Sequence, residues 1–283
     1  MKAELLVSTD TLAAHLDDPD WIVCDTRHDL MNPGKGRDQW KAAHIPGAYF
    51  LHTDEDLSGA KTGTNGRHPL PEVADFAARM NRCGVAPHRQ VVVYDDGGGS
   101  FAVRLWWLLR WLGHERVALL DGGFAAWKRE GRPLDTAVPA PREGTFEPRP
   151  REGATLDRHA VAALRGDPAA RVVDARAATR FMGENETIDP VAGHIPGSLN
   201  RFWQHNLGYD GRFLAPEELR AEFIELLDGA DPSLTVHACG SGVTACHNLF
   251  AMELAGLTGS RLYPGSWSEW CADRSLPVAT GPK

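Results

Sequence analysis

One cysteine in the sequence stands where a thiol can become a nucleophile. Residues 234–238, Leu-Thr-Val-His-Ala, are apolar enough for a buried strand, and residues 246–255 have apolar side chains at helical spacing. Between them lies the loop Cys239-Gly-Ser-Gly-Val-Thr-Ala245. A cysteine that begins such a loop faces backbone N–H groups and the positive end of a helix, which favour the thiolate. Cys239 is therefore predicted to be a nucleophile, in preference to an inert buried thiol.

The residues that follow Cys239 are suited to holding a negative charge. Gly240 and Gly242 allow the backbone to curl so that its N–H groups point inward, as in anion-binding nests. Ser241 and Thr244 can add hydroxyl donors, and Val243 completes the loop that is expected to line the substrate. Cys239 and Ser241 are predicted to be catalytic, and the other loop residues are predicted to bind substrate.

The two halves of the chain repeat the same landmarks in the same order. The matching pairs are residues 21–27 with 171–176, 44–48 with 194–198, 91–96 with 234–239, and 121–127 with 264–270. Four landmarks in one order indicate an internal duplication. In this alignment Asp96 takes the place that Cys239 has in the second copy, so only the second copy carries the thiol.

Within each copy, short apolar runs alternate with segments of helical periodicity. This alternation predicts an α/β fold, in which each copy has a mostly parallel β-sheet with helices on both faces. A stretch with four prolines, residues 135–150, separates the copies and is typical of a stiff linker. The predicted domains are residues 1–137 and 153–283, joined by residues 138–152. Ligands of such sheets bind beyond the carboxyl ends of the strands, where Cys239 is expected to lie.

Composition excludes several classes of protein. The chain has 283 residues, of which 42% are hydrophobic, and 30 Lys and Arg stand against 38 Asp and Glu for a net charge of −8. Without a basic block, a nucleic-acid partner is not expected. No apolar run approaches the ~18 residues of a membrane span, and the N-terminus does not resemble a signal peptide. Five cysteines without a CxxC pair predict reduced thiols, so we expect a cytoplasmic protein with no membrane contact.

No metal or organic cofactor is expected. His237, Cys239, Cys246 and His247 offer ligand atoms near the loop. Alternation along a strand and helical spacing would point these side chains in different directions, which does not match the usual zinc ligand spacings.

With these motifs assembled, the sequence resembles tandem-domain rhodanese-type sulfurtransferases over nearly its whole length. The features that carry the resemblance are the duplicated Asp-x-Arg strand end, the duplicated His-Ile-Pro-Gly, the paired glycine turns, and a cysteine loop in the second copy alone. The loop that starts at Cys239 is similar to that of 3-mercaptopyruvate sulfurtransferases, whereas thiosulfate-using relatives typically carry Arg and Lys after the cysteine. The resemblance implies an inactive N-terminal domain that helps to wall the active site of the C-terminal one.

The resemblance implies a sulfurtransferase. Cys239 would take the sulfane sulfur of 3-mercaptopyruvate as a persulfide, releasing pyruvate, and would pass it to cyanide, a small thiol or thioredoxin. Thiosulfate as the donor is the second hypothesis, and a non-catalytic sulfur carrier or regulatory module is the third. A phosphatase with a related loop is disfavoured because it needs an arginine six positions after the cysteine, where this chain has Ala245.

Two arginines just past a strand end are candidates for binding the substrate anion. In the family, the arginine of an Arg-Phe or Arg-Tyr pair does so, and this role carries over to Arg180. Arg176 is a second candidate, but a structural salt bridge is favoured there because Arg27 is its counterpart in the copy without a thiol. Mercaptopyruvate enzymes often have a further arginine about nine residues after the first, whereas residues 184–190 of this chain contain none.

The first copy contributes two further candidates through the resemblance. Asp54 and His68 match family segments, and a histidine there could shuttle a proton or orient Ser241. The alternative is that both are loop residues at the domain interface. His44 and His194 occupy equivalent places in the two copies, so they are predicted to be structural and to stabilise the Pro-Gly turn.

Overall fold

The computed structural model describes residues 4–282 and contains two compact units. The N-terminal unit comprises the chain up to Gly59, together with Leu70–Arg151 and Tyr209–Phe213. The C-terminal unit comprises Ala60–Pro69, Glu152–Gly208 and the chain from Leu214 onward. The segment Ala60–Pro69, although early in the sequence, is thus part of the unit that carries Cys239.

The N-terminal unit is built on a five-stranded parallel sheet. Its strands are β1 Leu6–Val7, β2 Trp21–Asp25, β3 Tyr49–Phe50, β4 Gln90–Tyr94 and β5 Val117–Leu120, in the spatial order β1-β5-β4-β2-β3. Its helices are α1 Thr9–Ala14, α2 Lys35–Ala42, α3 Val73–Arg82, α4 Ala102–Trp111 and α5 Gly123–Arg129. The central strands β2 and β4 are almost continuously apolar, as expected for parallel strands covered on both faces.

The C-terminal unit repeats this plan with four parallel strands. These are β6 Arg171–Asp174, β7 Leu199–Asn200, β8 Thr235–Ala238 and β9 Arg261–Leu262, in the order β7-β6-β8-β9. The helices are α6 Arg158–Leu164, α7 Ala178–Met182, α8 Pro216–Leu227, α9 Ala245–Leu254 and α10 Ser266–Trp270. The predicted α/β fold with parallel sheets in both copies is confirmed.

Strand β8, which leads to Cys239, is covered by helices on both faces. Val236 and Ala238 are buried in one cluster with Trp267 of α10. The intervening His237 points to the opposite face, where its Nε2 lies 3.1 Å from the sulfur of Met252 in α9. Side chains alternate along a strand, so neighbouring residues of β8 contact helices on opposite faces of the sheet. Cys239 directly follows the last residue of β8.

The two histidines of the repeated His-Ile-Pro-Gly segments have matching contacts. The backbone N–H of His44 donates to the carbonyl of Asp135 at 2.9 Å, and its Nδ1 donates to the carbonyl of Trp40 at 2.7 Å. The backbone N–H of His194 donates to the carbonyl of Ala279 at 2.8 Å, and its Nδ1 donates to the carbonyl of Phe181 at 2.8 Å. Both rings are buried, which agrees with the predicted structural role.

The strand register corrects the sequence alignment of the two loops by one residue. Asp25 pairs with Tyr94 in the first sheet, and its counterpart Asp174 pairs with Ala238 in the second. The residue after β4 that is equivalent to Cys239 is therefore Asp95, and the assignment of Asp96 to that place was wrong. Within residues 4–282, no helix combines the length and the apolar character needed to cross a membrane.

Candidate active site

The sulfur of Cys239 lies under the backbone of its own loop. The N–H of Gly242 points at Cys239 Sγ from 3.1 Å and that of Ser241 from 3.4 Å, and the cysteine is buried. Gly242 has φ +76°, and a Cβ there would clash with the carbonyl oxygen of Pro264. Only glycine fits this position, and its conformation is what turns the N–H groups toward the sulfur. The arrangement favours negative charge on sulfur.

A second turn holds the loop from the other side. Ser266 Oγ accepts the N–H of Cys239 at 3.1 Å and donates to the carbonyl of Tyr263 at 2.9 Å. Ser266 adopts φ +54°, which is costly for a residue with a side chain. The N–H of Trp267 donates to the carbonyl of Cys239 at 2.9 Å. The only sequence signal for Ser266 is the Pro-Gly-Ser turn that contains it, and this role in holding the loop was not predicted.

Val243 and Thr244 connect the loop to α9. Val243 is buried, and its carbonyl accepts the N–H of Cys246 at 3.1 Å. The carbonyl of Thr244 accepts the N–H of His247 at 3.0 Å. Both residues therefore lead directly from the loop into the positive N-terminal end of α9.

His68 and Ser241 form a hydrogen-bonded pair beside the sulfur. His68 Nδ1 lies 2.7 Å from Ser241 Oγ, and both residues are buried. The same serine supplies one of the N–H groups that point at Cys239 Sγ. The structure thus brings His68 and Ser241 together within the C-terminal unit, as the hypothesis of an orienting histidine requires.

Two guanidinium groups cover the loop at Gly240. A Cβ built at Gly240 would lie 2.7 Å from Arg67 Nη2 and 3.6 Å from both terminal nitrogens of Arg180. Arg180 was predicted to lie here, whereas Arg67 was not identified from the sequence. The only available signal was its position next to His68. Both guanidinium groups therefore lie directly over the backbone of the loop at Gly240.

Two buried carboxylates hold these arginines. Arg180 Nη2 lies 2.9 Å from Glu186 Oε2 and 3.1 Å from Asp189 Oδ2, and Arg67 forms an ion pair with Asp189 Oδ1. Although burial acts in the opposite direction, N–H donors from residues 188 and 189, together with Arg180, lower the pKa of Glu186. Burial raises the pKa of Asp189, against the attraction of Arg67. The segment that lacks the family's second arginine therefore carries two acidic groups of the site.

Arg176 forms the salt bridge that the structural alternative predicts. Its guanidinium binds Asp174 through two nitrogens and donates to the carbonyl of Gly193 at 2.8 Å. Arg27 repeats these contacts with Asp25 in the unit that has no thiol in its loop. Both arginines are buried. The Asp–Arg pair common to both units supports a structural role, and Arg176 in addition reaches Glu186 Oε2 from its Nη1 at 3.4 Å.

The equivalent loop of the N-terminal unit holds a carboxylate where the other holds a sulfur. Asp95 is buried and accepts four backbone N–H groups at 2.7–2.9 Å, from residues 97, 99, 101 and 102. Asp96, in contrast, is exposed. The anion nest is therefore retained in both copies, but in the first copy an aspartate side chain fills it.

Asp54 belongs to the N-terminal unit, where its Oδ2 lies 3.7 Å from Nε2 of His28. His28, His52 and Asp54 are close enough together to share a cation. However, His52 uses both ring nitrogens within the protein: Nε2 donates to the carbonyl of Pro33 at 2.9 Å, and Nδ1 accepts the N–H groups of residues 54 and 55. His52 therefore offers no free ring nitrogen to a metal ion.

A duplicated α/β fold with one thiol seated in a backbone anion nest defines a class of enzymes that carry a transferred group on a cysteine sulfur. The family model of the rhodanese-like domain matches residues 8–130 and again residues 157–273. The chain belongs to the rhodanese-like family, as a member with two tandem domains.

Full-length relatives agree with this assignment. The chain is 48% identical over 283 residues to a probable 3-mercaptopyruvate sulfurtransferase from Pseudomonas aeruginosa, covering 99% of this chain and 100% of the relative. It is 35% identical to a putative thiosulfate sulfurtransferase, SseB, from Mycobacterium tuberculosis, covering 99% and 98%. The crystal structure of SseA from Escherichia coli, described as a 3-mercaptopyruvate sulfotransferase, superposes with a TM-score of 0.80 at 33% identity, covering 94% and 99%. The family and the enzyme class predicted from the sequence, a sulfurtransferase, are confirmed.

Proposed function

We propose that this protein transfers the sulfane sulfur of 3-mercaptopyruvate through a persulfide on Cys239. The observation that carries the proposal is a buried thiol under two backbone N–H groups, with two arginines over the adjacent Gly240. Similarity to relatives named as mercaptopyruvate enzymes supports this choice of donor.

The chemistry that this geometry supports is attack of a thiolate on the donor sulfur. The Cys239 thiolate forms an S–S bond while the C–S bond of 3-mercaptopyruvate breaks, and the electron pair passes to C3 and the neighbouring carbonyl as an enolate. The proton of the donor thiol goes to C3, which leaves pyruvate and an ionised persulfide on Cys239. The cysteine sulfur is oxidised and C3 is reduced, so no external oxidant is needed.

Each neighbouring group has a defined role in this proposal. Arg180 binds the donor carboxylate through its terminal nitrogens, which lie over Gly240, because Glu186 already holds the Nε side of the guanidinium. Ser241, oriented by His68, stabilises the enolate oxygen and assists the proton transfer to C3. The N–H groups of Ser241 and Gly242 then stabilise the negative charge of the persulfide.

The persulfide is tested by incubating the enzyme with donor alone and measuring its mass. We expect a gain of one sulfur atom, located on Cys239 by peptide mapping, with release of one equivalent of pyruvate. Cys239→Ser should abolish both. Cys271→Ser is the matched control: burial raises the pKa of Cys271 to about 11, so this thiol stays protonated near neutral pH. Sulfur transfer by Cys239→Ser would refute the proposal.

Thiosulfate is the second candidate donor, since the loop is covered by two cations and one relative is named as a putative thiosulfate sulfurtransferase. The two donors are compared by kcat/KM with cyanide as the acceptor. A higher value for thiosulfate would replace the proposed donor and leave the persulfide on Cys239 in place. A failure to transfer sulfur from either donor would favour the third hypothesis, a sulfur-carrier or regulatory module.

The acceptors proposed for the second half-reaction are cyanide, a small thiol or thioredoxin. Each is a nucleophile that can attack the outer sulfur of the persulfide and regenerate the Cys239 thiolate. None of the five cysteines, all within the described residues, forms a disulfide, which suits a reducing compartment, and we propose the cytoplasm.

A further inference from the structure

The carboxylate of Asp189 lies between the two arginines that cover the Cys239 loop. Its Oδ1 pairs with Arg67 and its Oδ2 lies 3.1 Å from Arg180 Nη2. The Asp189 side chain is 2% exposed, whereas those of Arg67 and Arg180 are 24% and 20% exposed. An incoming anion can therefore reach the arginines, and it meets them already paired with a buried internal anion.

Glu186 has a different function in this cluster. Its Oε1 accepts the N–H groups of Ile188 and Asp189 at 2.8 and 2.9 Å, and Arg180 binds it through Nε and Nη2. These hydrogen bonds hold the turn at residues 186–189 in place and fix the Nε side of the Arg180 guanidinium. Arg176, the partner of Asp174, also reaches Glu186 Oε2 with its Nη1 at 3.4 Å. The three arginines and three carboxylates of the cluster sum to a formal charge of zero, so an anionic donor does not enter a site of net positive charge.

We propose that Asp189 is a specificity-determining residue, which holds the anion position between Arg67 and Arg180 and restricts the enzyme to donors with a single negative charge. This inference rests on the proposed sulfur transfer, and it concerns the choice between its two donors. A donor carboxylate must share or replace the contacts that Asp189 makes with the arginines.

The two donors differ in charge. 3-Mercaptopyruvate with a neutral thiol carries one negative charge, on its carboxylate, whereas thiosulfate carries two. The second charge is repelled by Asp189 and Glu186 at short range in a partly desolvated site, where Coulomb interactions are stronger than in water. Removing the charge of Asp189 should therefore help thiosulfate more than 3-mercaptopyruvate.

The test is Asp189→Asn, which keeps the size of the side chain and removes its charge. We expect the ratio of kcat/KM for thiosulfate to kcat/KM for 3-mercaptopyruvate to rise by roughly tenfold relative to the unmodified enzyme. The rise should come from a lower KM for thiosulfate, since Asp189 contacts the binding arginines and not the reacting sulfur. Asp228→Asn is the control, because it removes the same charge from an exposed position at the end of α8. It should leave the ratio unchanged.

An unchanged ratio, or an equal loss with both donors, would overturn the inference and assign Asp189 to the fold alone. The ratio is defined whichever donor the unmodified enzyme prefers, so this result is independent of the donor comparison and of the Cys239→Ser experiment. If Asp189→Asn does not fold, inhibition of the unmodified enzyme decides the matter. Pyruvate, a monoanion, should then inhibit more strongly than oxalate, a dianion, and the reverse order would overturn the inference.

Discussion

Replacing Gly242 by alanine tests whether the backbone of the loop activates Cys239. Gly242 has φ +76°, and a Cβ there would lie 3.0 Å from the carbonyl carbon of Pro264 and closer still to its oxygen. The left-handed conformation costs an alanine about 1–2 kcal/mol. Displacing backbone that cannot move freely adds about 1–3 kcal/mol. The free energy of unfolding should therefore fall by roughly 2–5 kcal/mol.

Activity should fall in the same variant because the Cys239 thiolate loses a hydrogen bond. To relieve the clash the loop must move, which takes the Gly242 N–H away from Cys239 Sγ, now 3.1 Å distant. A hydrogen bond to a charged acceptor is worth about 1.5–3 kcal/mol. Persulfide formation should slow by roughly 10- to 100-fold. The rate is measured as pyruvate release in a single turnover, under conditions where urea unfolding shows the variant to be folded.

Gly229→Ala provides the matched control. Gly229 has φ +79°, in the same unit, but a Cβ there would meet no atom within 4 Å. The free energy of unfolding of this variant should fall by about 1–2 kcal/mol through backbone strain, and its rate of persulfide formation should be unchanged. If Gly242→Ala formed persulfide as fast as Gly229→Ala, the loop backbone would not be the source of activation, and the reasoning from the nest would be refuted.

Three further predictions concern the loops and the core. Asp95→Asn should reduce stability by about 2–4 kcal/mol, because its amide group would face N–H donors, whereas Asp96→Asn should change it by less than about 0.5 kcal/mol; equal effects in urea unfolding would contradict the corrected alignment. Ser266→Ala should lower the free energy of unfolding by about 1–3 kcal/mol. Ser266→Gly should lower it by about 1 kcal/mol less, since glycine adopts φ +54° freely; equal losses in urea unfolding would argue against backbone strain. Burial, aided by a nearby arginine, lowers the pKa of His237 from 6.5 to about 3. The unfolded chain therefore binds this proton first, and stability should fall by about 1.4 kcal/mol per pH unit as pH drops below 6.5, a slope that His237→Leu should reduce.

The Cys239 loop and the duplication could be predicted because both depend on local sequence. A strand, two glycines and a helix form the nest from consecutive residues, and its geometry follows from backbone preferences. The structural histidines, His44 and His194, could likewise be separated from catalytic ones because they occur in both copies.

The partners of the loop could not be predicted in the same way, because they are distant in sequence. Arg67 and Asp189 are 122 positions apart, and no periodicity connects them. Residues 184–190 were noted for lacking an arginine, but a missing residue gives no indication that Glu186 and Asp189 bind Arg180 instead. Only the packing of the Ala60–Pro69 segment within the C-terminal unit brings these charges together.

The error at Asp96 has a different physical origin. The glycines after both strands can be aligned in two ways, and sequence similarity does not choose between them. The strand pairing removes the ambiguity, because Asp25 pairs with Tyr94 just as Asp174 pairs with Ala238. A shift of one residue would turn every side chain of the strand to the opposite face.

The carboxylate that fills the nest of the N-terminal unit has a consequence for the lifetime of the protein. A thiolate can be oxidised to sulfinic and sulfonic acids that no longer accept sulfur, whereas the carboxylate of Asp95 does not undergo this oxidation. The four N–H groups around Asp95 therefore keep their anion under oxidative stress. We expect peroxide to end catalysis at Cys239 while the N-terminal unit stays folded, so that an inactive but protease-resistant protein accumulates.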